Sequence, residues 1–368
     1  MKKILVPRVI DQANTNAQVL NARAMLARFV VPEIRWVAPY YDKPDPEVLA
    51  RKNVTLRRLM RRHLWYFNML WNYQMRADAI FYAGACWFDH WGLRLRDLTG
   101  RKIPVIANLE GLVGDADREQ EYSEWAEHPV FCQRVGPRNL KYLDELYRRA
   151  DHVIAISPFL GEMGRRRYGN KFSVIPLGID DYIFYSEEQH SVNERLKVVS
   201  AGNMHLTKRV GMFLELAKRH PEADFIWFGG QGSSERTALL RRIESEAIPN
   251  LSFPGNVQPT KLAEAFRSAD LFVMPSVAEG VPRVTQEAAA CGLPVVIFGY
   301  YEAHSVVDAA NGYVVWDDDQ FYRSVAELLA DSDLRACMGV KGATMALDWS
   351  WDAITLRWEE QILEIVDV

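Results

Sequence analysis

The chain is 368 residues long, 49% hydrophobic and 25% charged, which excludes a disordered polypeptide and leaves room for two domains of ordinary size. Its formal net charge of −4 gives no general drive toward nucleic acid. Cys86, Cys132, Cys291 and Cys337 are widely spaced with no C-x-x-C pair, which argues for reduced thiols in a cytosolic protein and against a zinc site or a disulfide framework.

Strand and helix signals alternate from the first residues onward, the pattern of parallel sheets crossed by helices. Lys3 to Val6 reads as a short strand, and Pro7 and Arg8 cut its apolar run far short of a signal peptide or membrane span. An amphipathic helix is expected over Asn16 to Phe29, and strands at Ile34 to Val37, Ala79 to Tyr82, Val105 to Asn108 and His152 to Ile156. Residues 51–76 carry the strongest charge feature. Arg57, Arg58, Arg61 and Arg62 alternate with Leu56, Leu59, Met60, Leu64, Phe67, Leu70 and Trp71 at helical spacing. Such a helix either packs its apolar face on a sheet with the arginines in water, or lies peripherally against an anionic membrane surface. Phe172 to Asp180 reads as the last strand and exit loop of a first domain, residues 1–185.

A polar linker, Ser186 to Glu194, precedes a second series of strands at Leu196 to Ser200, Asp224 to Phe228, Leu251 to Phe253, Leu271 to Met274, Val295 to Phe298 and Tyr313 to Val315. These define a second domain over 186–350. Gly229-Gly230-Gln231-Gly232 follows a strand but lacks the third glycine of a dinucleotide fingerprint. Asp317-Asp318-Asp319 stands before a helical run, Phe321 to Ala330, and reads as a helix N-cap cluster rather than a metal-holding D-x-D pair. The last segment, 351–368, places Trp351, Ile354, Trp358 and Ile362 on one helical stripe, with Leu356 off it. There is no internal repeat and no low-complexity tract.

Pro275 to Val296 says most about function. The buried-strand pattern Leu271 to Met274 runs into a small-residue loop, Pro282 stands at a first helical position, and an Ala-rich helix is stopped by Gly292. Glu279 then lies in the loop and Glu287 over one turn inside the helix. The backbone N–H groups of Gly280, Val281 and Pro282's neighbours, with the positive end of the helix dipole, suit a diphosphate. Carboxylates suit vicinal hydroxyls. The blander reading is a solvated helix Glu and a loop carboxylate.

This frame resembles the E-x7-E motif of the retaining GT-B glycosyltransferases of glycosyltransferase family 4. The resemblance implies an α/β fold of two Rossmann-like, doubly wound parallel-sheet domains facing a central cleft, with 351–368 a helix crossing back to the first. It implies a retaining glycosyltransferase that moves a sugar from a nucleotide-diphosphate-sugar to an acceptor hydroxyl in polysaccharide, lipopolysaccharide or glycolipid assembly. Glu279 then contacts the transferred sugar and Glu287 the ribose. Ser200 to Arg209 resembles the family's Gly-Arg…Lys-Gly loop: Gly202 matches, Lys208 takes the Lys position on the leaving diphosphate, and Asn203 stands where the family has Arg. Arg209 or Arg283 is the candidate for the missing cation, although Lys208 and Arg209 also read as an ordinary solvated helix start.

Phe253 to Val257 resembles the segment whose backbone reads the base, at Val257. Glu110 falls where many members have a His facing the donor sugar, and is either a hydroxyl ligand or an exposed loop residue. Arg8 to Thr15 replaces the family's Gly-Gly loop. No metal and no cofactor are implied; the expected partners are the donor and a glycan or lipid-linked acceptor, with a cytoplasmic or peripheral inner-membrane location. Two rivals share the frame: a nucleotide-sugar epimerase and a non-catalytic sugar-nucleotide-binding protein. Base, sugar, acceptor and oligomeric state leave no side-chain signature.

Overall fold

The computed structural model describes residues 1–7, 17–38, 70–83, 90–110, 137–169, 171–187, 194–204, 206–230, 234–246, 248–277, 281–301 and 303–367, with 64, 67, 68 and 279. The loop 8–15, the arginines of the 51–76 segment, Cys86, Cys132, Gly232 and Gly280 lie outside the described residues. The chain forms two compact units. One takes the described residues up to Gly178 and again from Trp351; the other is Ile179–Ser350.

In the first unit, β1 (Lys2–Leu5), α1 (Ala17–Arg28), β2 (Ile34–Val37), β3 (Ala79–Tyr82), α2 (His90–Thr99), β4 (Val105–Leu109), α3 (Pro137–Arg149), β5 (His152–Ala155), α4 (Pro158–Tyr168) and β6 (Phe172–Val174) alternate as the sequence pattern predicts. The strands form one six-stranded parallel sheet in the order β2-β1-β3-β4-β5-β6. β3 and β4 are buried along their whole length, because helices cover both faces of such a sheet and leave no polar side. The closing helix of the chain, Trp351–Asp367, also belongs here. It buries Trp351, Ile354, Thr355, Trp358, Glu359 and Ile362. Leu356 is 44% exposed, two residues past Ile354 and so about 200° round the helix.

Glu359 is fully buried. Its carboxylate accepts from the backbone N–H of Val30 at 2.9 Å, the N–H of Val31 at 3.1 Å and the indole N–H of Trp36 at 3.1 Å. Around it Phe29 stacks on Trp36 at 4.1 Å, and Phe81 meets Trp36 and Trp358 at 6.0 and 5.9 Å. Three donors satisfy a charge that would otherwise be prohibitive in an aromatic core.

In the second unit, β7 (Lys197–Ala201), α5 (Val210–Arg219), β8 (Asp224–Phe228), α6 (Ser234–Glu246), β9 (Leu251–Gly255), α7 (Pro259–Arg267), β10 (Leu271–Met274), α8 (Arg283–Ala290), β11 (Val295–Phe298), β12 (Gly312–Val315), α9 (Asp318–Ala330) and α10 (Ser332–Ala346) alternate in the same way, and Trp351–Asp367 becomes α11. The sheet order is β12-β11-β10-β7-β8-β9, all parallel. Phe213, Phe225, Trp227, Phe266, Phe272, Phe298 and Phe321 are fully buried. Phe213 meets Phe225 and Trp227 edge to face at 5.5 and 5.4 Å.

This order places the first strand of the unit, β7, beside the fourth, β10. The chain winds outward in opposite directions from that pair, so the helices flanking it leave on opposite faces. In doubly wound sheets ligands bind outside the carboxyl ends of the strands at such a switch point. The fold therefore nominates the loops that leave β7 and β10.

Candidate functional site

The loop leaving β7 begins at Gly202, whose φ of +148° disfavours a side chain. A Cβ there would stand 3.2 Å from Cε of Lys208, so the absence of one lets the lysine lie across the strand end. The loop is clamped from below. The buried indole of Trp227 donates to the carbonyl of Gly202 at 3.0 Å, and the N–H of Gly202 donates to Phe228 at 2.9 Å. Lys208 ends a short 3-10 turn, Leu206–Lys208. The N–H of Val277, leaving β10, donates to the carbonyl of Thr207 at 2.9 Å. That bond ties the two loops of the switch point together. It holds Lys208 Nζ 2.6 Å from Glu279 Oε1, with each side chain 15% exposed.

α8 supplies the second carboxylate. The helix starts at Arg283, with Pro282 as its N-cap in extended backbone (φ −78°, ψ 92°) and no side chain capping it. The sequence reading put Pro282 inside the helix; its ψ shows that the proline turns the chain in and the first helical position falls to Arg283. The orphan N–H groups of this N-terminus remain available to an anion. At the other end Gly292 donates to Ala289 at 3.0 Å and Leu293 to Ala288 at 3.1 Å, the paired bonds of a Schellman motif.

Glu287 lies 3.5 Å from Arg283, one turn apart, with 14% of its side chain exposed. Burial pushes its carboxyl above the usual carboxylate range, and the Arg283 guanidinium, with the remaining exposure, holds that rise back. The same helix buries Thr285, bonded to Ser305 at 2.7 Å, and Gln286, bonded to His304 at 2.9 Å. Burial lowers the His304 imidazole, and its neutral ring accepts from the Gln286 amide.

Of the predicted site residues, the structure brings Gly202, Lys208, Glu279, Arg283 and Glu287 together at the switch point. Asn203 is exposed beside them, Val281 is half-buried and Pro282 buried. Val257 lies just past β9, on the far side of β8. Arg209 follows Lys208 but turns away. It sits at φ 46°, its guanidinium bonded to Asp318 at 2.7 and 2.5 Å and 5.0 Å above the ring of Phe298. Left-handed backbone explains why a glycine suits this position.

In the first unit Glu110 follows β4, where its carboxylate accepts from Asn108 at 2.7 Å and Asn21 at 3.1 Å. Asn108 and Asn21 are buried. The side chain is thus fixed at the carboxyl edge of its sheet. Trp227, Thr207 and Asp318 were not legible as site residues, since they act through contacts between elements distant in sequence. Asp317 caps α9 by accepting from Gln320 N–H at 2.7 Å.

Among the described residues no group of three or more His, Cys, Asp or Glu is placed to hold a metal ion. None of the described helices is long and apolar enough to cross a membrane. A groove of about 840 Å³ in the first unit is lined by Arg96, Asp97, Arg101, Lys102, Asp151 and His152 among others. It opens at the amino ends of β4 and β5, the edge opposite to ligand sites in such sheets, and Arg96 is already paired with Asp151 at 2.5 Å.

Comparison with known proteins matches residues 22–182 to the model of Glycosyltransferase Family 4 and residues 195–331 to that of Glycosyl transferases group 1. The chain is 24% identical over 279 residues to an alpha-galactosylglucosyldiacylglycerol synthase of Streptococcus pneumoniae, covering 71% of this chain and 70% of the relative. It is 28% identical to a GDP-mannose-dependent monoacylated alpha-(1-6)-phosphatidylinositol monomannoside mannosyltransferase of Corynebacterium glutamicum, covering 60% of this chain and 64% of the relative. Among solved structures, a sucrose-phosphate synthase of Thermosynechococcus elongatus superposes with a TM-score of 0.75 at 19% identity, over 99% of both chains. HepE of Anabaena, solved with UDP and glucose, superposes at 0.70 and 16% identity, over 99% of this chain and 100% of that one. With a Glycosyltransferase Family 4 domain, a Glycosyl transferases group 1 domain and a six-stranded parallel sheet in each unit, the chain is a glycosyltransferase of GT-B architecture.

Proposed function

We propose that the chain transfers a sugar, with retention, from a nucleoside-diphosphate donor held by the second unit to a hydroxyl of a glycan or lipid-linked acceptor. The observation that carries this reading is the Lys208–Glu279 pair, 2.6 Å apart at the β7/β10 switch point, with Glu287 on the helix that starts beside it. A buried cation and carboxylate that neutralise each other are pre-placed to part. Lys208 turns to the leaving diphosphate, and Glu279 accepts from a hydroxyl of the transferred sugar. The N-terminus of α8 and Arg283 supply further positive potential to the phosphates. Glu287 takes the ribose hydroxyls, its partial exposure leaving room for that contact. Asn203 offers neutral donors where related chains carry Arg, so Lys208 bears more of the diphosphate charge here.

No side chain in this group is arranged as a nucleophile opposite the leaving group. The reading is therefore front-face departure and attack, in which the leaving diphosphate itself takes the acceptor proton and catalysis is positioning plus charge stabilisation. Glu110, fixed by two amides, is assigned to the sugar or acceptor in the first unit. The relatives named for diacylglycerol and phosphatidylinositol glycolipids favour a lipid-linked acceptor, which a peripheral segment 51–76 would meet at a membrane. No metal and no cofactor enter the chemistry.

The test is a thermal-shift series with free nucleoside diphosphates on the intact chain and on Glu287→Ala. One diphosphate raises the midpoint of the wild type, and the mutation reduces that rise. An equal rise in both proteins, or none with any nucleotide, removes the assignment.

A further inference from the structure

The same sheet edge carries a second feature that the switch-point chemistry does not use. At the carboxyl ends of β11 and β12, Trp316 is 60% exposed yet fixed in place. One face of its indole lies on Gly299, where a Cβ would come within 2.6 Å of the ring. Its carbonyl accepts from the Tyr300 hydroxyl at 2.6 Å, and its N–H donates to Gln320 Oε1 at 3.0 Å. Tyr300 stands edge-on to the indole, centroids 6.2 Å apart at 82°, and itself stacks on buried Phe298 at 5.3 Å. The indole is thus seated on one face and open to solvent on the other, with its conformational freedom already spent.

The border of this surface says what suits it. Asp317, Asp318 and Asp319 are exposed immediately after the indole, and Asp318 holds Arg209 at 2.5 Å. A run of carboxylates repels phosphate, anionic lipid and nucleic acid, and an apolar protein surface would desolvate them without compensation. A neutral pyranose meets both demands: its C–H face lies on an aromatic plane, and its hydroxyls donate to carboxylates at the rim. We propose that Trp316, Tyr300 and Asp318 form a stacking subsite for an uncharged sugar residue of a glycan. It lies on the carboxyl edge that bears Lys208 and Glu279, beyond β10. Naming the occupant as the acceptor rests on the transferase reading; the stacking site itself does not.

The test is calorimetric titration of the intact chain, saturated with UDP or GDP, with three uncharged trisaccharides: maltotriose, cellotriose and mannotriose. Wild type, Trp316→Ala and Trp316→Phe are compared. The expected result is binding of at least one trisaccharide, weakened about tenfold or more by Trp316→Ala and less by Trp316→Phe, with nucleotide affinity and thermal midpoint unchanged. Equal saccharide affinity in wild type and Trp316→Ala overturns the subsite, as does a wild type that binds nucleotide but none of the three saccharides. Saccharide binding that needs Trp316, in a chain that binds no nucleotide, keeps the subsite and removes the transferase reading instead.

Discussion

Along the carboxyl edge of the second sheet, the ends of β7 and β10 and the ends of β11 and β12 are built from different chemistry. The first pair of loops closes on a cation and a carboxylate, each 15% exposed, tied by a backbone bond from Val277 to Thr207. The second pair presents an indole 60% exposed, rimmed by carboxylates. Neighbours in sequence divide between them: Lys208 joins Glu279, while Arg209 crosses to Asp318 and Phe298. A charge that must meet a changing charge is kept shielded and paired, where its field is strong. A surface that only has to recognise shape is left open. Sharing one sheet edge lets a single strand order position both.

The largest effect bounds this comparison from outside, in the first unit. Glu359→Ala leaves three buried donors without an acceptor and is expected to cost about 3 kcal/mol of stability, read as a shift in the denaturation midpoint. Nucleotide affinity of the folded fraction should be unchanged, because the carboxylate lies in the other unit's core.

At the charged half of the edge, Lys208→Ala is expected to lower turnover by about a hundredfold, with thermal stability nearly unchanged. A comparable loss on Trp316→Ala without a change in acceptor KM would erase the distinction between the two halves. Next, Glu279→Ala should act chiefly on kcat and Glu287→Ala chiefly on donor affinity, each by about tenfold. Steady-state kinetics at varied donor would read the split, and the reverse pattern would exchange the two roles.

The smallest effects are pH slopes of opposite sign. The Glu287 carboxyl is raised by burial, so the folded chain holds this proton to higher pH than the unfolded chain does. Stability is therefore lost as pH rises from the ordinary carboxylate value through the raised one. Glu287→Gln should remove that slope in ligand-free protein. His304 is lowered by burial, so its contribution is lost as pH falls from about 6.5 toward the depressed folded value. His304→Asn should flatten the acid side only, measured by denaturation at a series of pH values.

Much of this was legible before any coordinates. The runs Leu271 to Met274 and Val295 to Phe298 are buried strands because only apolar residues fit between two helical layers, and Gly292 stops α8 as its position predicts. Glu279, Glu287 and Lys208 were readable from a local frame of turn, helix start and spacing. Lys208 touching Glu279 was not, since 71 positions of chain separate them and only the strand order brings β7 beside β10. Arg209 read as a candidate phosphate cation because sequence gives its charge but not its direction. The carboxylate that turns it is Asp318, a residue whose local pattern speaks only of a helix cap. Trp316 was silent for a related reason: an isolated aromatic before an acidic run looks like core until its exposure is known.

The most direct measurement is calorimetric titration of the intact chain with UDP and with GDP, repeated on Lys208→Ala. The account predicts that one diphosphate binds the wild type and that Lys208→Ala weakens it about tenfold or more, with a smaller dependence on salt once the cation is gone. Equal affinity in the two proteins, or no binding of either nucleotide to a folded wild type, would contradict a donor site at the β7/β10 switch point.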